Sequence, residues 1–160
     1  PLGIRMMASL ELALSAGELK LTSTDPDEQP FLDYRYFQQE EDLRRMREAV
    51  RLCASLAEHE RFNDIIESRI EPTDEELASD EDLNTYMIKE VTTGQHISGT
   101  CKMGPDSDDM AVVNQFGRVR GIQNLRIVDA SIMPDCIRAN TNVTTMMIAE
   151  RVSDFIKDGK

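Results

Sequence analysis

The sequence has 160 residues, of which 40% are apolar, and its 30 acidic and 18 basic side chains give a formal net charge of −12. This length and apolar content favour a folded domain with a core over a disordered chain. The negative charge disfavours a nucleic-acid binder, since phosphate neutralisation requires a basic face, and it also disfavours adsorption to an anionic membrane. No apolar run approaches the roughly 20 residues that a membrane-spanning helix needs.

The charge is concentrated in the first part of the chain. Residues 96–160 contain eight acidic and eight basic side chains, so residues 1–95 carry the whole net charge of −12. We therefore divide the chain into residues 1–95 and residues 96–160 and predict different environments for the two segments. The neutral second segment tolerates an anionic ligand better than the first segment does.

The first predicted elements are two strands. Apolar side chains occupy the even positions of residues 4–14, and this period of two predicts a half-buried strand. Residues 15–17 predict a turn, and renewed alternation over residues 18–22 predicts a second strand that pairs with the first as a hairpin. Residues 25–30 contain two prolines and no apolar side chain, so they are predicted to form a loop.

From Glu40 the apolar residues recur every three or four positions, which predicts an amphipathic helix of about five turns with a solvated charged face. Its apolar positions are Leu43, Met46, Val50, Cys53 and Ala57. Thr73 and Ser79 each begin a capping pattern, and the second leads into a short helix.

The second segment is punctuated by glycines. Residues 125–130 form a largely apolar run that predicts a buried strand. Residues 140–142 precede apolar residues at helical spacing, and Gly159 stands where the resulting helix should end.

Three cysteines, Cys53, Cys101 and Cys136, form an odd number at wide spacing. A disulfide framework is therefore disfavoured, and a reducing, cytoplasmic location is the default expectation. His96 and Cys101 have no second close pair of ligand residues, so no metal site is predicted.

The two histidines have different surroundings. His59 lies between two glutamates on the polar side of the long helix and is predicted to be a surface residue. His96 lies in a glycine-flanked stretch without periodicity, where an imidazole able to exchange a proton near neutral pH is a candidate catalytic base. A purely structural loop histidine is the alternative.

Two further places are candidates for binding. Asn140 and Asn142 at a helix start are ordinary capping residues, but a helix N-terminus also presents free N–H groups to an anion. Asp129 at the predicted strand end is either a turn residue or a ligand-binding acid.

Taken together, these stretches resemble the glucose–methanol–choline (GMC) oxidoreductases. Residues 96–104 resemble the family signature H-x-x-G-T-C-K-M-G, and residues 113–122 resemble its connecting segment. Residues 125–134 are close to L-R-V-V-D-A-S-I-M-P, and residues 140–151 resemble N-x-N…T-x-M-I-A-E-[KR]. Residues 17–37 resemble the family more loosely. The Thr-Cys-Lys-Met-Gly and Asn-Thr-Asn runs are nearer to choline-type dehydrogenases than to glucose-type oxidases.

The resemblance implies an α+β fold. Residues 1–95 would supply an antiparallel sheet with flanking helices, as part of a substrate-binding domain. Residues 96–160 would carry the catalytic histidine segment, followed by a C-terminal strand and helix that belong to the FAD-binding domain.

The resemblance also implies the chemistry. Family members oxidise alcohols with FAD, which takes a hydride from the carbinol carbon while a base takes the hydroxyl proton. The family's catalytic histidine falls on His96, and its partner falls on Asn140, which is expected to hold the substrate oxygen. The positions expected to lie against the flavin are Asp129, Ala130, Asn142 and Thr144.

The sequence contains no G-x-G-x-x-G turn, through which the family binds ADP. We therefore expect this chain to be the latter part of a longer enzyme and to bind FAD poorly by itself. The expected partners are a small alcohol and the missing FAD-binding part, and an oligomer is compatible with the sequence. A stand-alone binding module and part of a flavin-containing hydroxynitrile lyase remain alternatives, and oxidase and dehydrogenase activities are both open.

Overall fold

The structure is a computed structural model that describes residues 3–160, and the chain divides into two compact units, Pro1–Thr92 and Thr93–Lys160. Within the described residues, four α-helices and a two-stranded antiparallel sheet give the expected α+β class. The strands are β1 (Glu18–Lys20) and β2 (Phe31–Asp33). The helices are α1 (Glu40–Ala57), α2 (Asp74–Leu77), α3 (Asp80–Glu90) and α4 (Asn142–Lys157).

The sheet differs from the predicted hairpin. Strand β1 pairs with β2, with Leu19 opposite Leu32, and the predicted loop lies between the two strands. Residues 4–14 form no regular strand, so the prediction of a first strand that pairs with residues 18–22 is wrong.

Side chains of α1 explain the missing strand. The carboxylate of Asp42 accepts hydrogen bonds from the amides of Leu14 at 3.0 Å and Ser15 at 2.7 Å. The guanidinium of Arg45 donates to the carbonyl oxygen of Leu12 at 2.9 Å. Because these side chains bind the backbone groups that a strand ladder would use, the alternating pattern leads to an anchored irregular segment instead.

Helix α1 begins at Glu40 and runs for 18 residues, as predicted. It packs on α3, whose Leu83 and Met87 are buried. The expectation of a wholly solvated charged face is wrong, because Arg47 is buried and donates to Glu40 and Asn84, both at 2.9 Å.

The predicted caps of the two short helices are confirmed. The hydroxyl of Thr73 accepts from the Glu76 amide at 3.2 Å, and the Glu76 carboxylate accepts from the Thr73 amide at 2.7 Å. The hydroxyl of Ser79 accepts from the Asp82 amide at 3.0 Å. Acidic residues in these first turns also suit the positive ends of the helices.

The second unit is mainly irregular and is built around α4. Val113, Ile132, Met133 and Val152 are its most buried large apolar side chains. Its helix was predicted, and α4 ends two residues before Gly159. Isolated bridges, rather than a sheet, join its extended segments.

The predicted buried strand over residues 125–130 is wrong. Only Arg126 forms an isolated bridge there, with Arg118, and Leu125 is 45% exposed. The extended backbone ends at this point, because Asp129 caps a 3-10 turn at Ala130–Ile132.

Cys53 and Cys101 are free thiols. Among residues 3–160, no helix combines the length and the apolar character that crossing a membrane requires. The same residues contain no cluster of three or more His, Cys, Asp or Glu side chains arranged to hold a metal ion.

Candidate functional site

His96 and Asn140, which are 44 positions apart in sequence, meet in the second unit. The distance from the imidazole Nε2 to the amide Nδ2 is 2.6 Å, and the imidazole Nδ1 lies 3.3 Å from the hydroxyl oxygen of Thr141. His96 is half-buried, whereas Asn140 is exposed. Both ring nitrogens therefore have polar partners, and one side of the site is open to solvent.

The segment that follows His96 is held along the 3-10 turn at Ala130–Ile132. The amides of Gly99, Cys101 and Met103 donate to the carbonyl oxygens of residues 130, 131 and 132 at 3.2, 2.9 and 2.9 Å. Gly99 has a φ of +80°, a conformation that residues with a side chain rarely adopt. These backbone hydrogen bonds hold residues 99–103 without using the His96 side chain.

Asn140 and Thr141 directly precede α4. Thr141 occupies the N-cap position, yet its side chain makes no capping hydrogen bond. Its carbonyl oxygen accepts from the amide and the hydroxyl of Thr145, both at 2.9 Å. The first turn of α4 therefore fixes the backbone of Thr141, which directly follows Asn140.

The residues predicted to lie against a flavin fall into two groups. Asn142 is exposed and Thr144 is half-buried, both in the first turn of α4, which contains no acidic residue. Asp129 is exposed, but its carboxylate accepts hydrogen bonds from the amide and the hydroxyl of Ser131. The Asp129 carboxylate thus serves its own turn, and the half-buried Ala130 follows it.

Two ion pairs follow His96 in the chain. The ammonium of Lys102 lies 2.7 Å from the Asp108 carboxylate, and its hydrogen bond, aided by the Met110 amide, lowers the pKa of that carboxyl. Arg120 pairs with Asp106 at 2.6 Å. These pairs account for part of the charge neutrality of the segment.

An open cavity of about 610 Å³ lies beside the same segment, and its lining includes Met103, Asn114, Phe116 and Arg120. The lining contains neither His96 nor Asn140. Asn114 is committed to its own turn, since its side-chain oxygen accepts from the amides of residues 116 and 118. The predicted site residues are thus assembled outside this cavity.

Sequence reasoning assigned no role to Thr141, although it lies inside the recognised Asn-Thr-Asn run. The sequence shows a hydroxyl residue beside Asn140 at a helix start, and capping of the helix is the role expected of such a residue. Only the tertiary structure reveals that this hydroxyl faces the imidazole of His96.

The arrangement combines a proton acceptor with a hydrogen-bond donor. A neutral imidazole accepts a proton at its bare nitrogen, and a carboxamide N–H stabilises an oxygen on which negative charge develops. A hydroxyl group that replaces the contact between Nε2 and Nδ2 would meet both groups at once. The geometry suits removal of a hydroxyl proton.

Known proteins resemble this chain along most of its length. A family model described as GMC oxidoreductase matches residues 13–149. An oxygen-dependent choline dehydrogenase from Proteus mirabilis (strain HI4320) is 39% identical over 143 residues, which are 89% of this chain and 25% of that protein. The chain therefore spans about a quarter of the length of the curated relatives it matches.

Solved structures share its fold. A formate oxidase structure matches with a TM-score of 0.80 and 30% identity, over 90% of this chain and 25% of that chain. An FAD-dependent oxidoreductase from Chaetomium thermophilum matches with a TM-score of 0.79 and 26% identity, over 89% of this chain and 24% of that chain. The sequence and fold comparisons agree with each other.

Proposed function

This chain belongs to the GMC oxidoreductase family, and from that premise we propose that it is the substrate-binding and catalytic C-terminal part of an FAD-dependent enzyme that oxidises a primary or secondary alcohol. One observation carries the proposal: the imidazole of His96 and the amide of Asn140 converge to 2.6 Å. The name of the Proteus mirabilis relative makes choline the first alcohol to test.

In the proposed reaction, His96 and Asn140 share the substrate hydroxyl. The amide N–H of Asn140 donates to the hydroxyl oxygen and positions it. The bare Nε2 of His96 accepts the hydroxyl proton, which helps the carbinol C–H bond to release a hydride. Such a positioned base contributes about 10²- to 10⁴-fold to a rate, and Asn140 adds the stabilisation of a developing alkoxide.

When bound, FAD would supply the hydride acceptor. The first turn of α4 fits such a group, because it contains no acidic residue and its cap hydroxyl is not used for capping. Its free amides near Asn142 and Thr144 suit a carbonyl or phosphate oxygen. The Asp129 carboxylate is occupied by its own turn, so we assign this region to the flavin through the backbone near Ala130.

We assign residues 1–95 to the substrate-binding domain and the end of residues 96–160, including α4, to the FAD-binding domain of the longer enzyme. Exposed apolar side chains on α4, such as Val143 at 71%, support packing against further polypeptide. We also assign the enzyme a cytoplasmic location, which the free thiols of Cys53 and Cys101 support.

The test uses the full-length enzyme that contains this chain, mixed without oxygen with choline and a panel of other alcohols. We expect one of them to reduce the flavin, and His96→Ala to slow that reduction by about 10²- to 10⁴-fold with flavin content unchanged. His59→Ala is the matched control, because His59 is exposed and should leave the rate unchanged. A near-normal rate in His96→Ala, or cyanide release without flavin reduction, would contradict the proposal.

A further inference from the structure

We propose that Thr141 is a positioning residue that holds His96 in the tautomer with its proton on Nδ1, leaving Nε2 bare as the base. The catalytic consequence of this tautomer rests on the proposed function, whereas the contact geometry of the His96 ring does not depend on that function. Thr141 Oγ1 lies 3.3 Å from the imidazole Nδ1, on the opposite side of the ring from Asn140.

The Thr141 hydroxyl does not cap its helix. A threonine at an N-cap normally accepts from an amide in the first helical turn. Thr141 makes no such bond, and its backbone is fixed instead through its carbonyl oxygen, which accepts from Thr145. The half-buried hydroxyl is thereby left facing His96.

The positions of the protons on the His96 ring follow from its two contacts. The Asn140 amide nitrogen, 2.6 Å from Nε2, has only protons to offer, so Nε2 must present a lone pair. A neutral imidazole carries one N–H, which therefore lies on Nδ1 and points at Thr141 Oγ1, an oxygen able to accept it. The contacts on the two sides of the ring thus select the same tautomer.

The contact with Thr141 also suits the His96 ring after it has taken up a proton. After Nε2 takes the substrate proton, the imidazolium still donates its Nδ1 proton to Thr141. The hydroxyl therefore fits both charge states and keeps the ring in one orientation. Without it, the tautomer protonated on Nε2 becomes accessible, and that form cannot accept the substrate proton.

The first experiment reads the tautomer directly in the full-length enzyme, labelled with ¹⁵N only at histidine, by solid-state NMR. His96→Gln and His59→Gln variants assign the two rings. We expect His96 to carry its proton on Nδ1, and His59 to show the opposite pattern, because its Nδ1 accepts from the Arg61 amide at 3.2 Å. Thr141→Val should convert His96 to a mixture of tautomers, whereas Thr141→Ser should keep the original form.

The second experiment measures flavin reduction by alcohol in the same variants. Thr141→Val should lower kcat about tenfold with KM little changed, the size expected for one neutral hydrogen bond, and Thr141→Ser should restore the rate. Ser153→Ala is the matched control on the same helix, because Ser153 is exposed near the other end of α4, and it should change neither the tautomer nor the rate.

A His96 ring protonated on Nε2 in the unmodified enzyme, or an unchanged spectrum in Thr141→Val, would overturn the inference. A failure of Thr141→Ser to restore kcat would also overturn it, since the role requires only the hydroxyl. A tautomer that depends on Thr141 in an enzyme whose His96→Ala variant keeps full turnover would instead overturn the proposed function and leave the tautomer assignment intact.

Discussion

In the unit Pro1–Thr92, charged side chains bind the irregular backbone, whereas in the unit Thr93–Lys160 the irregular segments around the candidate site bind one another. Asp42 and Arg45 anchor residues 11–15 in the first unit. In the second unit, the amides of residues 99, 101 and 103 donate to the carbonyl oxygens of residues 130–132.

The difference explains where polar side chains remain available for chemistry. In the first unit, Asp42 and Arg47 are buried and fully used in holding the fold, so the excess of charge there is partly structural. In the second unit, hydrogen bonds between backbone groups hold residues 99–103 against residues 130–132 beside the candidate site. The imidazole of His96 and the amide of Asn140 are therefore free to face each other and the solvent.

The greatest loss of stability should follow removal of the Asp42 anchor of the first unit. Asp42→Ala removes a buried carboxylate and leaves the amides of Leu14 and Ser15 without their acceptor, so it should destabilise the protein by about 3 kcal/mol. Urea unfolding measures the loss. Glu41→Ala is the control, since it removes only an exposed pair with Arg44 and should leave the midpoint nearly unchanged. Equal effects of the two variants would refute the assigned role of Asp42.

The matching change in the second unit targets its backbone. Gly117 has a φ of +74°, and a Cβ there would lie 2.9 Å from the Ile127 carbonyl oxygen. Gly117→Ala should therefore cost about 2 kcal/mol and raise amide exchange in residues 93–160. Gly121→Ala is the control, because it shares a positive φ but meets nothing within 4 Å. If the two variants lose the same stability, the close approach to residue 127 is unimportant.

Low pH should destabilise the first unit more than the second, by less than Asp42→Ala does. Burial opposes ionisation of Asp42, but hydrogen bonds from Leu14 and Ser15 outweigh it and lower the pKa of the carboxyl. A carboxyl whose pKa is lower in the folded state than in the unfolded state adds stability above its ordinary pKa, and loses it as the pH falls through the lowered value. The loss should be smaller than in Asp42→Ala, because a protonated carboxyl still accepts hydrogen bonds.

As the pH falls through the lowered pKa of Asp42, hydrogen exchange should therefore rise at residues 11–15 before it rises at residues 99–103, whose bonds join backbone groups that do not titrate. Simultaneous opening of the two segments would contradict the contrast between the units.

The smallest expected effect lies at a helix cap. Thr73→Ala removes the hydroxyl that accepts from the Glu76 amide and should cost about 1 kcal/mol, measured as a shift in the urea midpoint. Thr73→Ser should retain most of the stability, because it keeps the oxygen. A Thr73→Ala midpoint equal to that of the original chain would show that the capping box is dispensable.

Patterns confined to neighbouring residues were read correctly. The helix that begins at Glu40, the caps at Thr73 and Ser79, and the helix that follows residues 140–142 were all predicted. These elements follow from side-chain periodicity and from hydrogen bonds between residues three or four positions apart, which a sequence displays directly.

Two predicted strands that depended on distant partners are wrong. Residues 4–14 alternate as a strand does, yet Asp42 and Arg45 take the backbone groups of its end, and residues 125–130 make only an isolated bridge. The burial of Arg47 was equally invisible, because its partner Asn84 lies on another helix.

The candidate site divides along the same line. Family motifs in the sequence were enough to select His96, Asn140 and the start of α4 as positions of interest. The family resemblance also implied that Asn140 is the partner of His96. The 2.6 Å contact between them and the turn of the Thr141 hydroxyl toward Nδ1 are visible only in the tertiary structure. The physical reason is that a hydrogen bond between residues 44 or 45 positions apart depends on the packing of both segments, which no local pattern encodes.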